Sequence, residues 1–243
     1  MVKVFVVNGS PDKAKGTTAM VLMPFLAGME KAGAKIDLVY SRDLDITPCT
    51  GEMHCWYRKP GKCIHQDVMQ EIYPRVKAAD VLIIATPVYI PIPGEMQNFI
   101  NRLCPLILPR LEMVGPRTRA RFHEDVNIKN VLLVSTGGWW EKSNFETVTM
   151  IAEELALNGG VEFSGALIRP HAFLLKDENG FTKEGQAIIE LLEETGFEYA
   201  ASGKISLERF EAISRPLISH KGMIEMYNEW IKRSLESEQE HRA

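Results

Sequence analysis

Three loops of the sequence carry residue types that could hold a ligand, and the first of them could hold a phosphate. It follows Asn8 and leads into a helical pattern that begins near Thr17. Free backbone N–H groups and the positive end of a helix dipole both attract phosphate oxygens. The candidate ligands in this loop are Ser10, Lys15, Thr17 and Thr18. An ordinary capped loop with Thr17 as the helix N-cap is the alternative.

The spacing within this first loop excludes two well-known phosphate motifs. The loop has no Gly-Lys-Ser/Thr ending, so the sequence does not predict a nucleoside-triphosphate P-loop. It also has no Gly-x-Gly-x-x-Gly pattern, so a dinucleotide fingerprint is absent. A phosphate at this loop would therefore belong to another kind of ligand.

The second loop contains three prolines and a tyrosine that the pattern leaves exposed. Its candidate binding residues are Pro87, Val88, Tyr89 and Ile90. Proline fixes the backbone and removes N–H groups, so this loop would form a stiff wall suited to a flat apolar ring. A proline-stiffened surface loop without a ligand is the alternative.

The third loop joins paired glycines to two adjacent tryptophans. Its candidate residues are Thr136, Gly137, Gly138 and Trp139. The glycines allow a ligand to approach the backbone closely, and the tryptophans offer surfaces for stacking. One tryptophan of the pair Trp139 and Trp140 is expected to pack inward, because neighbouring side chains rarely face the same way.

The elements that must position these loops alternate between strand and helix patterns. Near-continuous apolar runs, typical of parallel strands covered on both faces, occupy residues 2–7, 35–40, 81–85 and 131–135, with a weaker run at 161–168. Helical patterns lie between them at residues 17–32, 67–78, 94–103 and 144–157. This alternation predicts a doubly wound α/β sheet.

The doubly wound sheet predicts that the three loops meet. Right-handed crossovers place the C-terminal ends of parallel strands along one edge, where ligands collect at the switch in strand order. All three loops follow a strand pattern, so they should converge on one ligand with a phosphate at one end and a flat aromatic ring at the other. FMN has that shape, and it is the predicted cofactor.

Length and composition predict one soluble domain of 243 residues. Residues 1–178 form the predicted doubly wound, FMN-binding part, and residues 179–243 a C-terminal helical extension of the same domain, with helical patterns at 182–199, 206–213 and 221–235. A net charge of −4 predicts no basic face for nucleic acid or anionic lipid. No apolar stretch approaches the ~20 residues that span a bilayer, and the first residues lack a secretory signal, so a cytoplasmic location is expected.

The sequence resembles the NADPH-dependent FMN reductase and iron-sulfur flavoprotein group of the flavodoxin-like family. The matching stretches occur in order at residues 8–11, 16–18, 61–67, 79–102 and 135–138, so the resemblance covers roughly residues 1–170. It implies a five-stranded parallel sheet of order 2-1-3-4-5. It also implies that Ser10, Thr17 and Thr18 bind the FMN phosphate. Residues 87–90 would follow the ribityl chain and ring, and residues 136–138 the pyrimidine edge of the ring.

The activity implied by the resemblance is electron transfer from NAD(P)H through bound FMN to a small acceptor: a quinone, a flavin, a metal ion or a redox protein. A flavodoxin-type or iron-sulfur flavoprotein electron carrier without nicotinamide turnover is the alternative. No side chain is predicted to act as a catalyst, because the flavin carries the chemistry, and nothing in the sequence selects NADH or NADPH. The resemblance also implies a homodimer or homotetramer, and the proline-rich second loop, the pair Trp139 and Trp140 and the loop of residues 49–63 would together leave an apolar patch on a monomer.

A cysteine-rich loop is where the resemblance weakens. Iron-sulfur members of the group carry four closely spaced cysteines. This loop offers Cys49, Cys55 and Cys63, and Glu52 stands where the second cysteine of the pattern belongs. The sequence therefore predicts no bound metal. A [4Fe-4S] cluster held by the three cysteines is the alternative, and zinc with a histidine as the fourth ligand, His54 or His65, is another.

Two further residues carry predictions of their own. Cys104 is expected to be a small buried residue within the helix that follows the second loop. His171 follows the fifth strand pattern and is expected to face solvent in a loop.

Overall fold

The computed structural model describes residues 1–240, with side chains as far as Ser237. Its strands are β1 (Lys3–Asn8), β2 (Lys35–Tyr40), β3 (Val81–Pro87), β4 (Ile107–Val114), β5 (Arg117–Phe122), β6 (Asn130–Thr136), β7 (Glu162–Arg169), β8 (Lys176–Asp177) and β9 (Gly180–Phe181). Its α-helices are α1 (Thr17–Lys31), α2 (His54–Tyr57), α3 (Met69–Lys77), α4 (Gly94–Asn101), α5 (Glu146–Gly159), α6 (Lys183–Ser202), α7 (Leu207–Ser214) and α8 (His220–Glu240). No helix in this part of the chain is long and apolar enough to cross a bilayer.

Five strands form a parallel sheet in the order β2-β1-β3-β6-β7, which confirms the predicted flavodoxin-like order. Successive residues of a strand face opposite sides of the sheet, so the core has two halves. Phe5 and Leu82 pack on one face with α3, α4 and α5. Val6 and Ile83 pack on the other face with α1 and α6. Because both faces are covered, apolar residues run almost continuously through these strands, as the sequence predicted.

The first helix of the C-terminal extension lies directly against α1. A Cβ atom at Gly28 would lie 1.8 Å from the carbonyl oxygen of Glu193, and one at Gly196 would lie 1.9 Å from that of Phe25. Only glycine allows two helix backbones to approach this closely. The extension therefore contributes a covering helix to the sheet, while the division at residue 178 stays a prediction and residues 241–243 lie outside the described part.

The helices of the extension begin at capping side chains. The Thr182 hydroxyl accepts from the backbone N–H of Gly185 at 2.9 Å, and the Ser206 hydroxyl accepts from that of Arg209 at 3.2 Å. Each bond satisfies an N–H group that the helix itself leaves without a partner. The expected start of α7 near Ser206 is confirmed.

The antiparallel hairpin of β4 and β5 was absent from the sequence prediction. Its strands are mostly exposed, and charged side chains interrupt their apolar residues. Phe122 is buried and contacts Gly159 at the end of α5, while Arg119 pairs with Glu154 on the same helix. The hairpin is thus held by contacts with a helix that follows it in the chain, which a local pattern does not reveal.

Candidate functional site

The C-terminal edge of the sheet brings the three predicted loops together. The hydroxyls of Thr18 and Thr136 lie 2.9 Å apart, although the two residues are 118 positions apart in the sequence. The backbone N–H of Val88 donates to the carbonyl of Thr136 at 2.8 Å. The first, second and third loops are therefore joined at one place, at the ends of β1, β3 and β6.

The first loop leaves the start of α1 open to a ligand. Gly16 is the N-cap, so no side chain caps the helix, and no acidic residue lies in its first turn. This excludes Thr17 as the N-cap. A Cβ atom at Gly16 would lie 2.5 Å from the Ser10 hydroxyl oxygen, which shows that this hydroxyl lies beside the helix start. Free N–H groups, a dipole end and a hydroxyl thus lie together.

Asn8 contributes to this end of the site and was not among the predicted site residues. Its side chain is fully buried at the end of β1, and its Oδ1 accepts from the backbone N–H of Ser10 at 2.9 Å. Its Nδ2 is buried and has no hydrogen-bonding partner among the described residues. Buried donors are nearly always satisfied in proteins, so this group suits an acceptor oxygen brought by a ligand.

The four predicted residues of the first loop differ in their exposure. Thr18 is fully buried, and its hydroxyl contacts Thr136, so it links two loops. Thr17 is half-buried, and its hydroxyl lies 3.4 Å from that of Thr136. Ser10 is 4% exposed, and Lys15 is exposed at the end of a short 3-10 turn.

The second loop forms a rim beside the joined loops. Pro87 and Val88 are half-buried, whereas Tyr89 and Ile90 are exposed. The backbone N–H of Tyr89 donates to the carbonyl of Pro91 at 3.0 Å, which closes a tight turn. Two apolar side chains at the tip therefore lie in water.

The third loop is held from behind by the segment that follows β7. Gly137 donates to the carbonyl of Arg169 at 3.2 Å, and the N–H of His171 donates to the carbonyl of Trp139 at 3.2 Å. Gly138 is exposed, and a Cβ atom there would meet no atom within 4 Å. Trp139 is 59% exposed, whereas Trp140 is half-buried and donates to the carbonyl of Ile218, so one tryptophan of the pair packs inward as predicted.

The prediction that His171 faces solvent is wrong. Its side chain is fully buried, its Nε2 accepts from the N–H of Leu217 at 3.1 Å, and it lies 3.0 Å from a guanidinium nitrogen of Arg169. Burial and the positive charge of Arg169 lower the pKa of His171 to about 4. The sequence did not show that residues 213–217 fold back over this loop.

The prediction for Cys104 is wrong in two ways. Cys104 lies beyond the end of α4, in a short turn, and it is only half-buried. Its sulfur lies 3.8 Å from that of Cys55, and burial together with this neighbour raises the pKa of Cys55 to about 12. Glu52, at the position of the missing cysteine, is exposed and accepts from the Thr50 hydroxyl.

The described residues include no group of three or more histidine, cysteine, aspartate or glutamate side chains arranged to hold a metal ion. Cys49 is exposed and Cys63 is half-buried, so the three loop cysteines differ in their surroundings. The prediction that the loop binds no metal stays a prediction.

A buried ion pair joins the end of the cysteine loop to the end of α4. Arg102 is 1% exposed and donates to both carboxylate oxygens of Asp67, at 2.6 and 3.0 Å. Burial opposes ionisation of Asp67, but hydrogen bonds from Arg102 and from the N–H groups of Met69 and Thr47 lower its pKa to about 2. The two stretches of the resemblance that contain this aspartate and this arginine therefore meet in space.

A family model described as NADPH-dependent FMN reductase matches residues 2–144, which is more than half of the chain. This chain belongs to the NADPH-dependent FMN reductase family. The matched residues include all three loops at the edge of the sheet. The family that the sequence motifs predicted is confirmed.

Curated relatives in this group are iron-sulfur flavoproteins. One from Archaeoglobus fulgidus is 33% identical over 98 residues, which is 40% of this chain and 43% of the relative. Another from Methanosarcina thermophila is 29% identical over 101 residues, which is 41% of this chain and 51% of the relative. The chain thus spans about half the length of the curated relatives it matches.

Solved structures share the fold at low sequence identity. The NAD(P)H:quinone oxidoreductase from Methanothermobacter marburgensis superimposes with a TM-score of 0.58 at 16% identity, over 81% of this chain and 96% of that one. An FMN-dependent NADH-azoreductase from Bacillus anthracis, solved with FMN, gives a TM-score of 0.53 at 15% identity, over 82% of this chain and all of that one. At this identity the likeness establishes the flavodoxin-like fold alone.

Proposed function

We propose that this protein is an FMN-dependent oxidoreductase that takes electrons from NAD(P)H and passes them to a small acceptor. The observation that carries the proposal is the contact between the hydroxyls of Thr18 and Thr136, which joins the first and third loops beside the uncapped start of α1. Membership of the FMN reductase family supports the same cofactor.

The first loop fits the phosphate of FMN. The start of α1 has free N–H groups and no acidic residue in its first turn, so it attracts a dianion. The buried Nδ2 of Asn8 lacks an acceptor that a ligand oxygen would supply. In this proposal the phosphate is bound by Ser10, Lys15, Thr17 and the backbone at Thr18.

The second and third loops would hold the rest of the cofactor. Residues 87–90 would line the ribityl chain and one side of the ring, and Thr136, Gly137, Gly138 and Trp139 would line its pyrimidine edge. Gly138 leaves open space where a planar ring could approach the backbone. Bound FMN would supply the chemistry, accepting a hydride from NAD(P)H and passing two electrons to the acceptor. The protein would bind the ring, orient it and leave one face accessible.

A single methyl group tests this arrangement. Gly138→Ala adds a Cβ atom in open space, so the free protein should keep its stability, whereas the dissociation constant for FMN should rise about tenfold because the ring is displaced. Gly94→Ala is the matched control, since its Cβ atom also meets nothing within 4 Å. Equal FMN affinity of the two variants by fluorescence titration would contradict the proposed ring position.

The electron-carrier alternative is separated by a reduction experiment. In an anaerobic cuvette, NADPH or NADH should bleach the bound flavin within the time of mixing if the protein is a reductase. A flavin that dithionite reduces but neither nicotinamide reduces would identify a carrier instead.

We further propose that the protein is a homodimer or homotetramer. Tyr89 and Ile90 leave apolar side chains exposed around the site, and Trp230 on α8 does the same. Exposed apolar patches commonly mark interfaces. Light scattering at micromolar concentration should give at least twice the monomer mass.

A further inference from the structure

Helix α8 forms one wall of a cavity beside the third loop. The cavity has a volume of about 290 Å³, and its lining includes Trp139, Trp140, His220, Ile224, Tyr227 and Asn228. Three of these side chains are aromatic rings of the kind that stack on planar ligands. None of the residues on the α8 side belongs to the proposed flavin site.

Contacts at the start of α8 fix this wall in place. The Trp140 indole N–H donates to the carbonyl of Ile218 at 2.9 Å, just before the helix. The same ring stacks on His220, with centroids 4.9 Å apart and planes 13° apart. The Nε2 of His220 lies 2.9 Å from a carboxylate oxygen of Glu141. The first turn of α8 is therefore attached to the loop that follows β6.

The cavity adjoins the place proposed for the flavin ring. Trp139 follows Gly138 directly, and its carbonyl is held by the N–H of His171. Its ring packs against that of Tyr227, with the two centroids 6.2 Å apart. Trp139 is 59% exposed in this arrangement, so a stacked ligand would remove a large apolar surface from water. A molecule held here would lie next to the pyrimidine edge of the proposed flavin site.

We propose that this cavity binds a planar aromatic electron acceptor of the quinone class, and that α8 determines acceptor specificity. This inference rests on the proposed function, because the electrons must come from a bound flavin. The volume lies just below the ~300–1,000 Å³ typical of small-molecule sites, which suits a ligand of one or two rings. The mainly aromatic and aliphatic lining suits a quinone better than a metal ion.

Reduction of a quinone accounts for all the electrons and protons of the proposed step. A quinone that takes a hydride from the reduced cofactor and a proton from water leaves as the hydroquinone, having gained two electrons and two protons. The exposed side-chain amide of Asn228 lines the cavity and has the N–H groups that a quinone carbonyl accepts from. The cavity thus offers both a stacking surface and a donor.

The test compares two kinds of acceptor in the FMN-loaded protein. Tyr227→Ala should raise the KM for 2-methyl-1,4-naphthoquinone about fivefold to tenfold, because an aromatic contact is lost. The rate with ferricyanide, which needs no stacking surface, should not change. Tyr227→Phe keeps the ring and should restore the KM. Leu235→Ala is the matched control, since Leu235 is an exposed apolar residue further along α8 and outside the cavity lining.

Direct binding gives a readout independent of turnover. The naphthoquinone should quench tryptophan fluorescence of the oxidised, FMN-loaded protein, with a dissociation constant that rises in Tyr227→Ala and stays constant in Leu235→Ala. An unchanged KM and an unchanged dissociation constant in Tyr227→Ala would overturn the proposal.

Two other results would also overturn the proposal that the cavity binds the acceptor. Both can be told apart from a failure of the proposed function. If Tyr227→Ala lowers the oligomeric mass but leaves the quinone KM unchanged, the cavity belongs to a contact between copies of the chain. If it slows ferricyanide and quinone equally, the helix has no role in acceptor choice. Failure of the proposed function would appear in the unmodified protein, as no FMN binding or no reduction by NAD(P)H.

Discussion

The first loop and α8 approach the candidate site from opposite ends of the chain, and they depend on the fold to different degrees. The first loop lies between β1 and α1, so a strand and helix adjacent in sequence form its cradle. The α8 wall depends on Trp140 and His220, which are 80 positions apart yet stack on each other. The comparison suggests that one βα unit forms the cradle proposed for the phosphate, whereas the proposed acceptor cavity depends on contacts between distant segments.

The largest effect is expected at the first loop. Gly16→Ala would place a Cβ atom 2.5 Å from the Ser10 hydroxyl oxygen, displacing that hydroxyl and crowding the helix start. Loss of two charge-assisted hydrogen bonds at ~1.5–3 kcal/mol each predicts at least about a hundredfold weaker FMN binding. Titration of the apoprotein with FMN measures this, with Gly94→Ala as the control. If Gly16→Ala folds and binds FMN with normal affinity, the phosphate does not bind at the first loop, and the comparison with α8 no longer holds.

A pH effect of intermediate size is expected where the extension meets the third loop. The pKa of His171 is lowered to about 4 in the folded protein, from about 6.5 in the unfolded chain, so the folded state holds the neutral form. The contribution of neutral His171 to the free energy of unfolding is complete above pH ~6.5. It decreases by up to about 3 kcal/mol as the pH falls towards 4. Urea unfolding at pH 7.5 and 4.5 measures this loss.

The matched variants isolate His171 from the other titrating groups. His171→Gln should flatten the stability profile between pH 4 and 6.5, because the amide oxygen can still accept from Leu217 but does not titrate there. Lys221→Gln, which removes an exposed positive charge from α8, should leave the shape of the profile unchanged. Equal profiles for all three proteins would show that the junction does not respond to this proton.

The smallest effect is expected from weakening the attachment of α8 to the third loop. Trp140→Phe keeps a ring for stacking but removes the donor to the carbonyl of Ile218, at a cost of ~0.5–1.5 kcal/mol in stability. We expect the quinone KM to rise about twofold to threefold through looser attachment of α8, with FMN affinity unchanged. Trp230→Phe is the control on the exposed part of the same helix. If Trp140→Phe weakens FMN binding instead, the first loop and the α8 wall are energetically coupled.

Much of the fold could be predicted because its signals are local. A strand buried on both faces must be apolar throughout, and this pattern located all five strands of the sheet to within a few residues. The three loops could be identified because each follows such a strand, and parallel strands end at one edge. The helical pattern at residues 206–213 located α7 to within one residue, and the Ser206 hydroxyl caps the start of that helix.

The features that were missed depend on contacts between distant segments. Cys104 was placed in a helix as a buried residue, but its neighbour is Cys55, 49 positions earlier. The hairpin of β4 and β5 carries too many charged residues to show a strand pattern, and its Phe122 is buried only against α5. The free Nδ2 of Asn8 is visible only once the packing around it is known.

The sequence by itself determined the alternation of strands and helices and the polar and aromatic residues of the three loops, because these follow from residue types at short spacing. The order of the sheet was implied by the family resemblance. The tertiary structure alone decided that His171 is buried, that Cys104 meets Cys55, and that α8 returns to the third loop. Burial is a property of everything that packs on a residue, and here the covering segments lie tens of residues away. The acceptor side of the candidate site therefore became visible only when the C-terminal helices were in place.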